Sequence, residues 1–207
     1  GLRRGEETVT EDLLLYVASA HPKEVTTFPF NKHQEGKTGA DWEWWLTDGN
    51  KWFGMLVQAK ILDCKSNLYS SINHKVQGRL QIDILTDQAH LKGIDALYFF
   101  YNYTRQSFPP LNWKCRSTAP EIEQLGCTVA NAFAVKRLIG RRGVGIKLNP
   151  ITLPLRCLVC CRGFLHARDD SLPSRAASIA RELQRLGIRD EDLTDGVSGL
   201  RKDPPSY

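Results

Sequence analysis

The sequence predicts one α/β domain with a mixed sheet, its elements ordered α-β-β-β-α-β and followed by further helices and strands. Three observations lead there. Aromatic and β-branched residues flank Gly49-Asn50, the mark of a hairpin closed by a two-residue turn. Helical stripes at Leu13, Leu14 and Val17 and at Val76, Leu80, Ile84 and Leu85 bracket that hairpin. Ala96 to Tyr101 is then a continuous apolar run of strand length. At 207 residues, 42% apolar and 25% charged, the chain has the proportions of a single domain over residues 1–207. No apolar run approaches the ~20 residues of a membrane helix. Gly-Leu-Arg-Arg-Gly-Glu-Glu at the N-terminus has no apolar signal region, so the expectation is a cytoplasmic protein with no membrane partner.

Taken in order, Thr8-Val-Thr-Glu11 reads as a capping box opening the first helix, which His21-Pro22 ends. Val25 to Phe30 is a short β-prone run, and Asn31 to Gly39 reads as a polar loop. With Gly49-Asn50 as the turn, facing residues sum to 99, so Asp41 lies opposite Gln58. Side chains alternate along strands, which puts Asp41, Glu43, Gln58 and Lys60 on one face and Trp42, Trp44 and Val57 on the other. Asn73 to His90 is expected to be a helix, with Gln77 and Gln81 on a neighbouring face. Tyr103 to Pro120 reads as an excursion loop. Cys127 to Ile139 reads as a helix stopped by Gly140, and Leu153 to Cys161 as a buried strand. Ser174 to Leu186 is a helix with Gly187 as its stop. The six cysteines, at 64, 115, 127, 157, 160 and 161, are expected to be reduced and mainly packed in the core rather than bound to zinc.

Two carboxylates, an amide and an amine on one sheet face are costly to bury unless they satisfy one another or a cation. One outcome is an inert salt-bridge cluster. The other is a magnesium or manganese site, since such ions take one or two carboxylates and leave positions for water and phosphate. A helical acid, then Gly39-Ala-Asp41, a hairpin and Gln58-Ala-Lys60 resemble the PD-(D/E)xK restriction-endonuclease-like nucleases, with an αβββαβ core over roughly residues 6–103 and a basic extension from about 104 to 207. The Gln-x-Lys form resembles the Mrr-type branch, and the whole is similar to an uncharacterised bacterial group within that superfamily. The resemblance implies a Mg- or Mn-dependent endonuclease acting on nucleic acid, DNA first, in restriction or antiphage defence. In it Asp41 is the metal-binding aspartate, Gln58 stands at the second acid position and Lys60 is the catalytic lysine. Glu7 resembles the helix-borne glutamate, with Glu6 competing. Stepping back from Leu14 by four and three residues reaches Thr10 and Glu7, which favours Glu7. Gln81 resembles an accessory glutamine of the following helix. Because an amide carries no charge, Glu43 is expected to supply the missing carboxylate to the metal.

Charge is divided along the chain. Residues 1–100 hold 11 basic and 13 acidic side chains, and residues 101–207 hold 17 and 10. From Gln124 to Arg168 there is no acid, and Lys136, Arg137, Arg141, Arg142 and Lys147 exceed what a helix C-terminus needs. They are the candidate phosphate-binding surface for nucleic acid. Double-strand cutting calls for two sites, hence an expected homodimer or a defence-system partner subunit. The rival reading is an inactive nuclease-fold domain that binds nucleic acid with the same surface. A second rival, thiol chemistry at Cys127 near a helix N-terminus, lacks a neighbouring histidine.

Overall fold

The computed structural model describes residues 5–63, 65–69, 71–102, 125–139, 150–160, 170–187 and 199–205. In chain order the elements are α1 (Glu6–Ala20), β1 (Val25–Pro29), α2 (Lys32–Thr38), β2 (Trp42–Thr47), β3 (Trp52–Asp63), β4 (Leu68–Tyr69), β5 (Lys75–Val76), β6 (Arg79–Leu80), α3 (Gln81–Lys92), β7 (Asp95–Tyr101), β8 (Cys127–Asn131), α4 (Ala132–Lys136), β9 (Leu153–Pro154), α5 (Leu155–Cys160), α6 (Leu172–Gly187) and β10 (Leu200–Arg201). The main sheet runs β1-β2-β3-β7-β8-β9, with β4 and β10 also paired to β3. β1, β2 and β3 form an antiparallel meander, β7 joins β3 in parallel, and β8 is antiparallel to β7. This is the mixed sheet the sequence predicts.

The β2–β3 hairpin is the pivot. Gly49 takes φ 90° in the turn, and Asp48 Oδ1 accepts from the Asn50 and Lys51 N–H groups. Pairing runs from Thr47↔Trp52 to Trp42↔Val57, the register expected for a Gly49-Asn50 turn. Alternation then fills two layers. Trp42, Trp44, Met55, Val57, Leu97 and Phe99 form one core with α5 and α6, and Val9, Leu13, Leu14 and Val17 of α1 pack against it. Trp45, Leu56, Tyr98 and Phe100 form the other with Ile82 and Leu85 of α3 and Ala134 and Val135 of α4. Both faces of the sheet are therefore covered, and strands buried on both sides read as near-continuous apolar runs.

Several elements differ from expectation for local reasons. The first helix begins at Glu6, before the Thr8 box, with Gly5 as an N-cap lacking a side-chain bond. The expected loop after Phe30 contains α2. Asn31 accepts from the His33 and Gln34 N–H groups, Gln34 returns a bond to the Asn31 N–H, and Gly39 at φ 70° ends the helix. The helix expected from Asn73 starts only at Gln81. Gln77 (φ 50°) and Gly78 (φ 83°) instead turn β5 into β6, the two positive φ values that a tight hairpin favours. Asn131 divides the next expected helix into β8 and α4 by capping Phe133 N–H. Leu153 to Cys160 is a two-residue strand followed by α5, because a short apolar run does not distinguish a buried strand from a buried helix. Tyr103 to Pro120, Gly140 to Gly145 and Cys64, Cys115 and Cys161 lie outside the described residues. No helix among the described residues is long and apolar enough to cross a membrane.

Gly199, just before β10, is held to β3 by a backbone bond and to β7 by the Asp95 side chain. Gly54 N–H donates to Gly199 O at 3.0 Å, and Gly199 N–H donates to Asp95 Oδ2 at 3.4 Å. Burial pushes the Asp95 carboxyl up to about 7, against smaller opposing effects of that hydrogen bond and of Arg181. The folded chain thus holds this proton more tightly than the unfolded chain. The stability tied to Asp95 is full below ~4 and is lost as pH rises through ~7. Asp95→Asn is expected to stabilise the protein by up to about 4 kcal/mol above that window and to make little difference near pH ~4. Thermal melts at the two pH values measure this; an equal effect at both removes the account.

Candidate active site

β2 has six residues and β3 has twelve, so β3 outruns its antiparallel partner. Their ladder ends at Trp42↔Val57, while on the other side β7 stays paired to Ile61↔Tyr101. Alternate N–H groups of β3 therefore face an edge that β2 has vacated, and buried backbone donors need acceptors. Two carboxylates take these positions. Ala59 N–H donates to Asp41 Oδ2 at 2.7 Å, and Ile61 N–H donates to Glu6 Oε2 at 2.8 Å. Such bonds to an ionised acceptor are stronger than neutral ones. Lys60, between the two anchoring residues, is buried with its Nζ 3.5 Å from Glu6 Oε1.

Asp41 lies just before β2. Its N–H donates to Val57 O rather than to the register partner Gln58, so the chain leaves the ladder here and the carboxylate turns onto the β3 backbone. Gln58, also buried, donates from Nε2 to Asp41 Oδ2 at 2.7 Å and to Ala59 O at 3.1 Å. Its Oε1 is buried with no hydrogen-bond partner. Burial raises the Asp41 carboxyl to about 6; the Ala59 N–H and Lys60 oppose this, and the charges of Glu6 and Glu35 add to it. Glu6, Glu7, Glu11, Glu35 and Asp41 all open on a cleft of ≈ 370 Å³ between α1 and the chain leading into α2.

The helical glutamate at this site is Glu6, which corrects the expectation for Glu7. Glu7 is exposed and pairs with Lys32 of α2 at 2.7 Å, which holds its carboxyl below the usual range. Glu6 lies about one turn before Thr10, on the flank of α1 that meets the sheet, whereas the step of three from Thr10 to Glu7 turns the side chain off that flank. Thr10 itself bonds the Tyr101 hydroxyl at 3.0 Å, fixing that face against the sheet. Glu43 also departs from expectation. It is buried, accepts from Trp45 Nε1 at 2.6 Å and pairs with Lys92 at the end of α3. The Arg201 guanidinium lies 5.4 Å over the Trp45 ring and donates to Lys92 O, so Glu43 belongs to the anchorage of β10. Its partners are Trp45 and Lys92 rather than Asp41 or Gln58, so its charge is already matched away from the Asp41 carboxylate.

Gln81 is buried at the first position of α3, its backbone against Gly39, two residues before Asp41. Lys136 is paired with Asp83 at 2.7 Å, so its charge is already matched within the fold. Arg137 is exposed beyond α4, while Arg141, Arg142 and Lys147 lie outside the described residues. Burial raises the Cys127 thiol pKa, the opposite of an activated nucleophile.

Among the described residues, no group of three or more His, Cys, Asp or Glu side chains is arranged to hold a metal by itself. A hard divalent ion does not need one, since water and substrate oxygens complete its shell. Asp41 and Glu6 provide carboxylates, and the orphaned Gln58 Oε1 is an unused buried oxygen beside Asp41. This donor set fits magnesium or manganese. Over its whole length, residues 1–207, the chain matches a family of unknown function (DUF6615), and it belongs to that family. No curated protein matches it.

Proposed function

We propose that this chain is a magnesium- or manganese-dependent phosphodiesterase that cuts nucleic acid, DNA first, in the manner of the PD-(D/E)xK nucleases. The observation that carries the reading is the pair of carboxylates, Asp41 and Glu6, docked on the Ala59 and Ile61 N–H groups with buried Lys60 between them. The order α1-β1-β2-β3-α3-β7, with a meander and a parallel fourth strand, is in keeping with the αβββαβ core of that superfamily.

Asp41 and Glu6 would hold the ion, with Gln58 Oε1 as a neutral third donor. When bound, it would act as a Lewis acid toward a phosphate oxygen and lower the pKa of water. The protein's own contribution is placement and charge. Backbone amides of β3 hold both carboxylates, so neither has to be ordered during the reaction. Lys60, held beside Glu6, donates hydrogen bonds to the attacking water or to the phosphate oxygen on which charge builds, and burial strengthens that interaction. A setting in restriction or antiphage defence follows from the resemblance.

Plasmid incubated with Mg²⁺ or Mn²⁺ is expected to be cut by the wild type and left intact by Asp41→Ala. If the wild type cuts neither DNA nor RNA with either ion, the site is not catalytic and the chain is a binding domain on this fold.

A further inference from the structure

A second concavity adjoins the carboxylate cleft. It has a volume of ≈ 750 Å³ and lies between α2, the β5–β6 hairpin and the outer side of α3. Lys32, His33 and Lys37 line it from α2, and Arg79 lines it from the hairpin. Lys75 stands exposed on the same hairpin. The acid among the lining residues, Asp87, is paired with Arg79 at 2.7 Å, with both side chains more than half exposed. Lys32 lines both concavities, so the groove and the cleft meet at one residue.

We propose that this groove holds the phosphate backbone of a nucleic-acid strand and leads it toward Asp41 and Lys60; the inference rests on the phosphodiesterase reading of that site. Four cationic or protonatable side chains converge on one groove, and two of the ion pairs they make, Lys32–Glu7 and Arg79–Asp87, are solvent-exposed. Exposed pairs contribute about 0–1 kcal/mol, so a phosphate displaces Glu7 or Asp87 at little cost. Gln77 and Gly78 close the hairpin in a tight turn, and Gly36 of α2 packs against Val76. No Phe, Tyr or Trp is among the lining residues described, so stacking is limited to His33 and the groove is suited to the backbone more than to the bases. Its cations come from residues 32–79, within the first half of the chain, which has no net positive charge. They are different residues from the Lys136–Lys147 candidates.

The test uses the double variant Lys37→Ala with Arg79→Ala, both exposed and neither placed in the site. Binding of labelled single-stranded and duplex oligonucleotides is measured by fluorescence anisotropy in EDTA, across a salt series, with polyglutamate as competitor. Affinity is expected to fall about tenfold or more, and the slope of log Kd against log salt to shrink by about 1.4 for a single strand or about 1.8 for a duplex. The form held is the one for which the double variant loses affinity and slope. Unchanged affinity and slope, with melting temperature unaltered, overturn the proposal. So does polyglutamate that displaces nucleic acid as well as nucleic acid does itself at equal charge, since the groove would then serve an acidic polypeptide. Cleavage is scored separately. Groove-dependent binding by a wild type that never cuts keeps the groove and removes the nuclease reading, whereas cutting that the double variant leaves unchanged does the reverse.

Discussion

Lys60→Met is expected to slow metal-dependent cleavage by about 10³-fold while the protein stays folded. Methionine keeps most of the buried volume and removes the ammonium. The large effect follows from burial, because a charge held out of water acts on a developing phosphate charge far more strongly than a surface cation does. Glu6→Gln should cost about 10²-fold and raise the metal concentration needed for half-maximal rate, since the amide keeps a carbonyl acceptor for Ile61 N–H but loses the charge. Glu7→Gln should change the rate less than about threefold, because Glu7 is an exposed partner of Lys32. Initial rates across a metal titration separate the three. If Glu7→Gln proves the damaging change, Glu7 returns to the role and the helix must sit differently on the sheet.

The second large effect concerns the fold that aims Asp41. Gly39→Ala is expected to cost about 4 kcal/mol, a fall of roughly 10 °C in melting temperature for a chain of this size. Gly39 has φ 70°, and a Cβ there would lie 2.5 Å from Gln81 O and 2.6 Å from Leu85 N, both backbone atoms of α3 that cannot swing aside. Gly49→Ala is the built-in comparison. It has φ 90° but nothing within 4 Å of the added carbon, so it should cost only the ~1 kcal/mol of the left-handed conformation. Equal losses at the two positions would show that backbone conformation alone decides the outcome and that the close approach of α3 is not a constraint.

How far the site was legible depended on where local rules hold. The hairpin register could be read because one turn and one period determine every pair from Thr47↔Trp52 to Trp42↔Val57. The pairing of Asp41 with Gln58 followed from it, and the two side chains do meet. Glu43 could not be placed the same way. Its true partners, Trp45 and Lys92, depend on how α3 returns to the sheet, a tertiary fact with no period in the sequence. Glu6 and Glu7 are adjacent and chemically identical, so only the helix phase separates them, and a half-buried helix leaves that phase loosely specified. α2 had a readable signal, Asn31 followed by Gln34 at capping-box spacing, outweighed by its polar composition. The groove cations were missed because a charge count by halves averages α1, which has no basic residue, with α2 and the β5–β6 hairpin, which have several.

The unequal lengths of β2 and β3 make the candidate site unusually indifferent to the side chains around it. Both carboxylates dock on peptide N–H groups, which every residue except proline carries, so the identities at positions 59 and 61 matter for packing but not for aiming the acids. Drift at these positions among apolar residues of suitable size should leave Asp41 and Glu6 where they are. A proline there, or lengthening β2 by two residues so that it pairs with Ala59, would displace a carboxylate without touching it. Relatives with changed neighbours but the same strand lengths are therefore expected to keep the centre, and the difference in strand length is a better marker of it than any tripeptide.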